Sequence, residues 1–463
     1  MLSSLIIGGG ISGSALLHYL AEAGDDVMLL EKGERLGGVI GSYRNEAGAL
    51  VETGPNSTQT SNPDFLHLVA SLGLLDQMVE ADPLARNRYI LRGGKLHPVP
   101  MSPPAFLRSS LFSASAKLRL LREPFVGPAP ADSAQEESVA EFVRRRIGME
   151  FLEYAINPFV SGVYAGRPER LSLRHAFPKL HALEQQYGSL IRGAIRGGRA
   201  RRQAAKRGQV PRDRAKLVSF REGMGVIPAA IEARWGRQVR LGAPVDRLER
   251  QADGGWLAVS GGDVFRAKRV ILATDAGTAA GLLEPHHAPA AQSLRGIEYP
   301  PVAVAVSTYR RADIRHPLDG FGMLIPEVEN RKILGVIFSS TLFPQRAPQG
   351  MVTLTTFLGG ARQPEVALLG QDRLRQLVFG EHAALLGAAA PPRTFNLSVW
   401  PRGIPQYNVG YGGVLRAIEA AAKDLPGLHL VGNYHGGVSV ADCVKSARAL
   451  AATLLAHTTN PNR

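Results

Sequence analysis

Gly8, Gly10 and Gly13 fall at the spacing G-x-G-x-x-G, directly after the apolar run Leu5-Ile6-Ile7 and at the head of a helical pattern over 14–23. A second apolar run, Val27-Met28-Leu29-Leu30, ends on Glu31, and Arg35-Leu36-Gly37-Gly38 follows. This order suits one chemistry, the holding of a pyrophosphate by backbone. Gly8 permits the tight turn, Gly10 lets the chain approach the ligand, and Gly13 lets the helix pack close on the strand. The helix N-terminus adds N–H groups and partial positive charge, and an acid at the end of the second strand can bond an adenosine ribose. A bare glycine turn between strand and helix would need neither the second strand nor the acid. The spacing therefore predicts a dinucleotide site on a βαβ unit.

Two features favour FAD over NAD. Arg35-Leu36-Gly37-Gly38 supplies further backbone groups along a longer cofactor. The chain also closes on a strand-like run at 428–431, then Gly432-Asn433 and a helical pattern over 438–455, which would bring a second helix terminus to the same ligand. The elements between must position the rest. A helix is expected from Pro63, and a hairpin is expected from Tyr89-Ile90-Leu91 to Lys95-Leu96-His97, turned at Arg92-Gly93-Gly94. Residues 101–191 read as mostly helical, and the stretch 105–125 mixes apolar and basic residues as a helix at a membrane interface would, a mixture that equally suits an ordinary surface helix. Strands are expected at 239–248, 256–259 and 269–273, and β-rich runs at 302–308, 334–338 and 352–357 place a second sheet there.

With 463 residues the chain has length for two or three domains. Its single cysteine, Cys443, excludes an internal disulfide and a thiolate metal cluster; it lies in an apolar helical pattern and reads as a buried thiol. No apolar run is long enough to span a bilayer, and no signal peptide is expected ahead of the first strand. The net charge of +14 is concentrated: residues 192–216 hold ten Lys or Arg against one acid, with no aromatic side chain. That segment reads first as a mobile, solvated basic loop, second as a contact for anionic lipid at about 1 kcal/mol per basic residue near the surface, and only distantly as a nucleic-acid site. The histidines show no metal-ligand spacing, so no metal is expected, and His286-His287 reads as an exposed turn.

Motifs running nearly end to end carry a resemblance. They include GGGISG at 8–13, EKGERLGG at 31–38, ETGPNS at 52–57, RNRYILRGGKLHPVP from Arg86, SGVYAG at 161–166 and FPKL from Phe177. GFGMLIP from Gly320, LGVIFSS from Leu334, FLGG from Phe357, IPQY from Ile404 and GNYHGGVSVADCV from Gly432 complete the set. In these the chain resembles the protoporphyrinogen oxidases, oxygen-dependent flavoenzymes of haem synthesis. The resemblance implies a mixed α/β fold like the monoamine oxidases. It has a Rossmann-type FAD-binding domain (1–84, 217–289 and 425–463), a substrate domain with a mixed β-sheet (85–97 and 290–424) and a helical membrane-associating domain (98–216). Matching by motif implies FAD contacts from Gly8, Gly9, Gly10, Ile11, Ser12, Gly13, Glu31, Lys32, Arg35, Gly38 and Val39. Gly54, Pro55, Asn56, Ser57, Val245, Asn433, Val438, Ser439 and Val440 follow, with Asn56 beside the isoalloxazine.

The implied reaction takes six electrons from protoporphyrinogen IX in three steps, each followed by reoxidation of the flavin by O2 with release of hydrogen peroxide. The protein's task is then orientation, and no catalytic base is assigned. Arg88 is the expected clamp for a propionate, because a guanidinium pairs bidentately with a carboxylate. Leu324, Ile337 and Phe357 would flank the rings, and Gly162 and Ala165 would let a ring come close; without the resemblance the three apolar residues read as core, Gly162 as a helix break and Arg88 as a solvated charge. The expected partners are the tetrapyrrole, O2 and a peripheral contact on the inner face of the cytoplasmic membrane, with a homodimer left open and no nucleic acid. A coproporphyrinogen III oxidase of the same fold is the nearest rival, and a non-catalytic flavin-binding scaffold for haem-synthesis enzymes is the rival of another class.

Overall fold

A computed structural model describes residues 1–127, 136–206 and 215–459. The strand Leu2–Ile7 pairs in parallel with Val27–Leu30 on one side and with the second half of Asp263–Leu272 on the other. Val239–Arg240 and Leu428–Leu430 extend this parallel core, while Trp256–Ser260 and Arg247–Arg250 add an antiparallel edge, giving seven strands. Strands covered on both faces must be continuously apolar, and Leu5, Ile6, Val270, Ile271 and Leu272 are all fully buried. The first helix, Ile11–Glu22, packs beside the C-terminal helix Val440–Thr459 through Leu16, Leu20, Val444, Ala447 and Ala451. The two chain ends thus form one layer over the same sheet.

A second seven-stranded sheet runs in the order 394–400, 302–310, 351–359, 333–337, 320–324, 87–92, 95–98. All its pairings are antiparallel except Gly320–Leu324 with Asn87–Arg92. One face carries a core of Leu91, Ala303, Tyr309, Met323, Val336, Leu354 and Leu358. The described residues between 99 and 206 are mostly helical, and none of the described helices is long and apolar enough to cross a membrane.

Four local expectations are corrected. The run 239–248 is two short strands rather than one. Between them the N–H groups of Gly242 and Ala243 donate to the carbonyls of Gly33 and Glu31, and Pro244 has none to give a neighbouring strand. The stretch 105–125 is two helices, Pro103–Arg108 and Ala114–Arg122, because Ser113 caps the second while Leu111 and Phe112 turn into the core. The basic segment is a helix from Leu190 to Lys206, and residues 207–214 of the expected loop lie outside the described residues. Its start is fixed by buried Glu123, whose carboxylate accepts from the N–H groups of Leu190 and Ile191 and from Ser189 Oγ, and is paired with buried Arg146. His286 and His287 are half-buried: His286 Nε2 bonds the carbonyl of Leu248 and its ring meets Trp256 edge-on, while His287 caps the helix Ala288–Arg295.

Candidate functional site

A cleft of about 420 Å³ opens at the C-terminal ends of the parallel strands, where neighbours of Leu2–Ile7 lie on both sides. Gly8, Gly10, Ile11, Ser12, Glu31, Lys32, Gly38, Val39, Pro55, Val245, Asn433, Val438 and Val440 line it, as expected from the motifs. The turn from strand to helix depends on glycine. Gly8 has φ +107, and a Cβ on Gly13 would lie 2.0 Å from the Gly8 carbonyl oxygen. A Cβ on Gly10 would meet nothing within 4 Å, so this glycine faces open space, and the first helix begins there with no side chain capping its N–H groups. Glu31 is held at the second strand's end by the N–H groups of Gly9 (2.5 Å) and Gly33 (2.8 Å). An open, uncapped helix start beside a fixed carboxylate fits a pyrophosphate and ribose.

The remaining expected contacts stand behind this lining. Gly9 bonds Glu31, and Gly13 abuts Gly8 and Ala273. Arg35 donates to the carbonyls of Leu36, Gly38 and Ile40, fixing the loop that carries Gly38 and Val39. Gly54 gives the Val39 carbonyl room, Ser57 follows in the same turn, and Ser439 accepts from the Asp442 N–H at the start of the C-terminal helix. Asn56 is buried, with its Oδ1 taking bonds from Arg346 (3.1 Å) and Thr355 (3.4 Å).

Sequence reasoning missed two parts of the site. Ala243, Pro244, Thr274, Asp275, Tyr299, Trp400, Arg402 and Gly403 also line the cleft. Asp275 caps the helix Ala276–Leu283 directly after the buried strand, a signal the sequence carried. Burial alone would raise its carboxyl, but Thr278, Arg402 and the helix N–H groups outweigh this and hold it below the usual range. The second missed part is the buried pair Arg346–Glu52, in which Arg346 also bonds Asn56 and Ser219. Burial pushes the Glu52 carboxyl up to about 7 against the opposing pull of Arg346. Cys443 lines the cleft as a buried thiol, raised to about 11 by desolvation.

The second sheet presents its other face toward this cleft. Arg88, Gly322, Ile337 and Thr355 are register partners across four strands, and Ile90, Leu324, Gly335 and Phe357 form the next row on the same face. Leu324, Ile337 and Phe357 are half-buried, while the intervening Met323, Val336 and Leu358 are buried in the opposite core. Two glycines keep this face flat. A Cβ on Gly322, at φ +153, would lie 2.1 Å from the Val336 carbonyl oxygen, and one on Gly335 would lie 2.7 Å from that of Met323. The helix Asn157–Tyr164 covers the face, and Gly162 lies inside it rather than breaking it; a Cβ there would be 2.9 Å from Leu324 Cδ2. Ala165 ends that helix in a left-handed turn, buried with Val302, Val304 and Leu334. Arg88 is exposed, its guanidinium 5.5 Å from the Phe321 ring centroid, with no ion pair among the described residues. Phe357 and Trp400 pack in one cluster, and Trp400 also lines the cleft, so the flat face and the cleft share a wall.

Comparison with known proteins agrees with this geometry. The family described as flavin-containing amine oxidoreductase matches residues 15–455. The chain is 35% identical over 468 residues to the chloroplastic protoporphyrinogen oxidase of Nicotiana tabacum, covering 97% of this chain and 85% of that protein. It is 34% identical to the protoporphyrinogen oxidase of Bos taurus, covering 99% of each. Among solved structures, a protein of Exiguobacterium sp. 255-15 superposes with a TM-score of 0.82 at 25% identity over 98% of both chains. The cyclohexylamine oxidase of Brevibacterium oxydans, 20% identical with a TM-score of 0.71 over 99% of each chain, shares the fold. The cofactor of this chain is FAD.

Proposed function

We propose that this chain, which belongs to the flavin-containing amine oxidoreductases and within them to the protoporphyrinogen oxidases, oxidises protoporphyrinogen IX to protoporphyrin IX in porphyrin biosynthesis. The bound flavin supplies two-electron oxidation, three rounds of which consume three O2 and release three hydrogen peroxide per porphyrin. The observation that carries this reading is the shared wall: Trp400, which lines the cleft, and Phe357, on the flat sheet face, pack against the same cluster of Val302, Val304 and Ala165.

The protein's own contribution is to orient a flat substrate. Leu324, Ile337 and Phe357 offer apolar contact to the macrocycle, and Gly322 and Gly335 keep side chains from lifting it off the sheet. Gly162 lets the covering helix lie low, so that the gap is narrow enough to hold a methylene bridge in one pose. Arg88, at the outer end of the row and without a carboxylate partner among the described residues, is placed to receive a substrate carboxylate. Glu52, the buried acid near Asn56, is bound by Arg346, Ser42 and the Met224 N–H, so its oxygens are committed to structure.

The proposal extends to location at the inner face of the cytoplasmic membrane as a peripheral protein. It is supported by exposed Leu107, Leu118, Leu121 and Phe125 beside Arg108, Arg119 and Arg122, close in sequence to the Glu123 that anchors the basic helix. The test of the activity is porphyrin fluorescence and peroxide yield from FAD-loaded protein given each porphyrinogen in air. Three peroxides per porphyrin with protoporphyrinogen IX are expected. A faster reaction with coproporphyrinogen III assigns the substrate to the four-carboxylate relative instead, and no oxidation of either leaves a flavin-binding scaffold.

A further inference from the structure

Three motifs that the flavin fingerprint does not account for meet at one place: SGVYAG at 161–166, IPQY at 404–407 and GNYHGG at 432–437. Gln406 is 3% exposed. Its Nε2 donates to the carbonyl of Tyr164 at 2.8 Å and to that of Ile404 at 3.0 Å, and its own backbone N–H is held by the Glu298 carbonyl. A Cβ on Gly166 would lie 2.3 Å from Gln406 Oε1, so only glycine lets this side chain reach the end of the Asn157–Tyr164 helix.

The neighbouring side chain serves the other wall. The Tyr407 hydroxyl donates to the Asn433 carbonyl at 2.6 Å and accepts from the Gly437 N–H at 3.1 Å. Its ring stacks on Tyr411 at 4.4 Å between centroids, and the Tyr411 hydroxyl donates to the Tyr434 carbonyl at 2.6 Å. The loop so gripped is the one that brings Asn433 and Val438 into the flavin cleft. The backbone carbonyl of Tyr407 accepts from the Ser172 N–H at 2.8 Å, which ties the same residue to the helical region as well.

We propose that Gln406 and Tyr407 form a clamp that fixes the substrate-covering helix relative to the flavin loop, and that both are positioning residues for the oxidation. The proposal rests on the flavin-oxidase reading of the site. Packing alone would be satisfied by any ring and any side chain of similar volume. Here, however, each bond ends on a backbone group of one wall, and removing the Tyr407 hydroxyl strands the Gly437 N–H and the Asn433 carbonyl in a place where Tyr407 is 4% exposed. A large displacement is not needed: a shift of about 1 Å in a reacting pair can cost about a hundredfold in rate.

The test uses the FAD-loaded full chain with Gln406→Leu, Tyr407→Phe and the double variant. The measurements are visible circular dichroism of the bound flavin, FAD affinity, melting temperature, KM, and the rate of flavin reduction by protoporphyrinogen IX without oxygen. Each single variant is expected to slow reduction at saturating substrate by about tenfold, with KM within about threefold. The double variant is expected to lose less than the product of the two. Gln406→Leu should also alter the flavin dichroism, although Gln406 makes no hydrogen bond to a cleft-lining residue. Should that variant not fold, Gln406→Met, unbranched and close in length, also lacks the donor and carries the same expectation. Changes confined to melting temperature, or losses that multiply and divide cleanly between KM for Gln406 and FAD affinity for Tyr407, overturn the clamp. If the wild-type flavin is reduced by neither porphyrinogen, the substrate reading fails. The flavin dichroism of the Gln406 variants then still decides whether the clamp exists.

Discussion

The flavin wall and the proposed substrate wall are built by opposite means. The proposed flavin wall is gathered from short contiguous segments around backbone turns: the turn at 8–13, the loop at 31–39 and the loop at 432–438. The proposed substrate wall is made of separate residues drawn from four strands, brought together only by register: Arg88 beside Gly322, Gly322 beside Ile337, and Gly335 beside Phe357. A backbone site tolerates change in most side chains but not in its turns. A register site tolerates change in its turns but depends on every strand's pairing, since a one-residue slip would carry its side chains to the opposite core.

This contrast predicts a ranking of effects. The largest should follow Gly13→Val, whose Cβ would fall 2.0 Å from backbone that cannot yield. FAD affinity should drop by at least about a hundredfold, read as flavin content of the purified protein. Retention of flavin would show that the cradle is not backbone-made. Next comes Gly322→Ala on the other wall, strained by φ +153 and by the Val336 carbonyl 2.1 Å away. It should keep its flavin and lose about a hundredfold in kcat/KM, separating the two walls in one protein. Arg88→Ala should be milder: KM for protoporphyrinogen IX up by about tenfold, kcat within about threefold, and only partial recovery in Arg88→Lys because an ammonium lacks the bidentate fork.

The smallest effect concerns the sheet behind the substrate face. His382 is fully buried between Tyr309 and Thr356, and burial lowers its ring to about 3. The unfolded chain takes up a proton near pH 6.5 that the folded protein refuses, so stability is complete above that pH and falls as pH drops toward 3. The slope from this one group is at most ~1.4 kcal/mol per pH unit. Urea unfolding at a series of pH values should show it, and His382→Gln should flatten that part of the profile. An unchanged slope would place the acid sensitivity elsewhere.

The same contrast explains what could be read from the sequence. Gly8, Gly10, Gly13 and Glu31 could be read because strand, turn and helix follow one another within 31 residues, and local spacing is what a sequence displays. The hairpin at 87–98 was also legible, since Gly93 and Gly94 both take positive φ in its turn. Arg346 was not: its partners Glu52, Asn56 and Ser219 are 294, 290 and 127 residues away, and nothing near position 346 reports them. The basic segment reads as a loop because its charge run is all that the local sequence displays, while the cap that starts its helix, Glu123, lies 67 residues upstream of Leu190. Phe357, Leu324 and Ile337 could be singled out only by resemblance; periodicity alone made them core, and it is their half-exposure on one face that marks them.

The central claim is that a porphyrinogen would lie on the flat sheet face, next to the cleft whose residues would hold the flavin that supplies its oxidation, with Phe357 on the face and Trp400 in the cleft packed against one cluster. It is tested most directly by mixing FAD-loaded protein with protoporphyrinogen IX in the absence of oxygen and following the flavin absorbance. The account predicts that the flavin is bleached, that Gly322→Ala bleaches far more slowly at equal flavin content, and that admitting air restores the colour with porphyrin fluorescence. A flavin that stays oxidised in the wild type, or bleaches equally fast in both proteins, contradicts it.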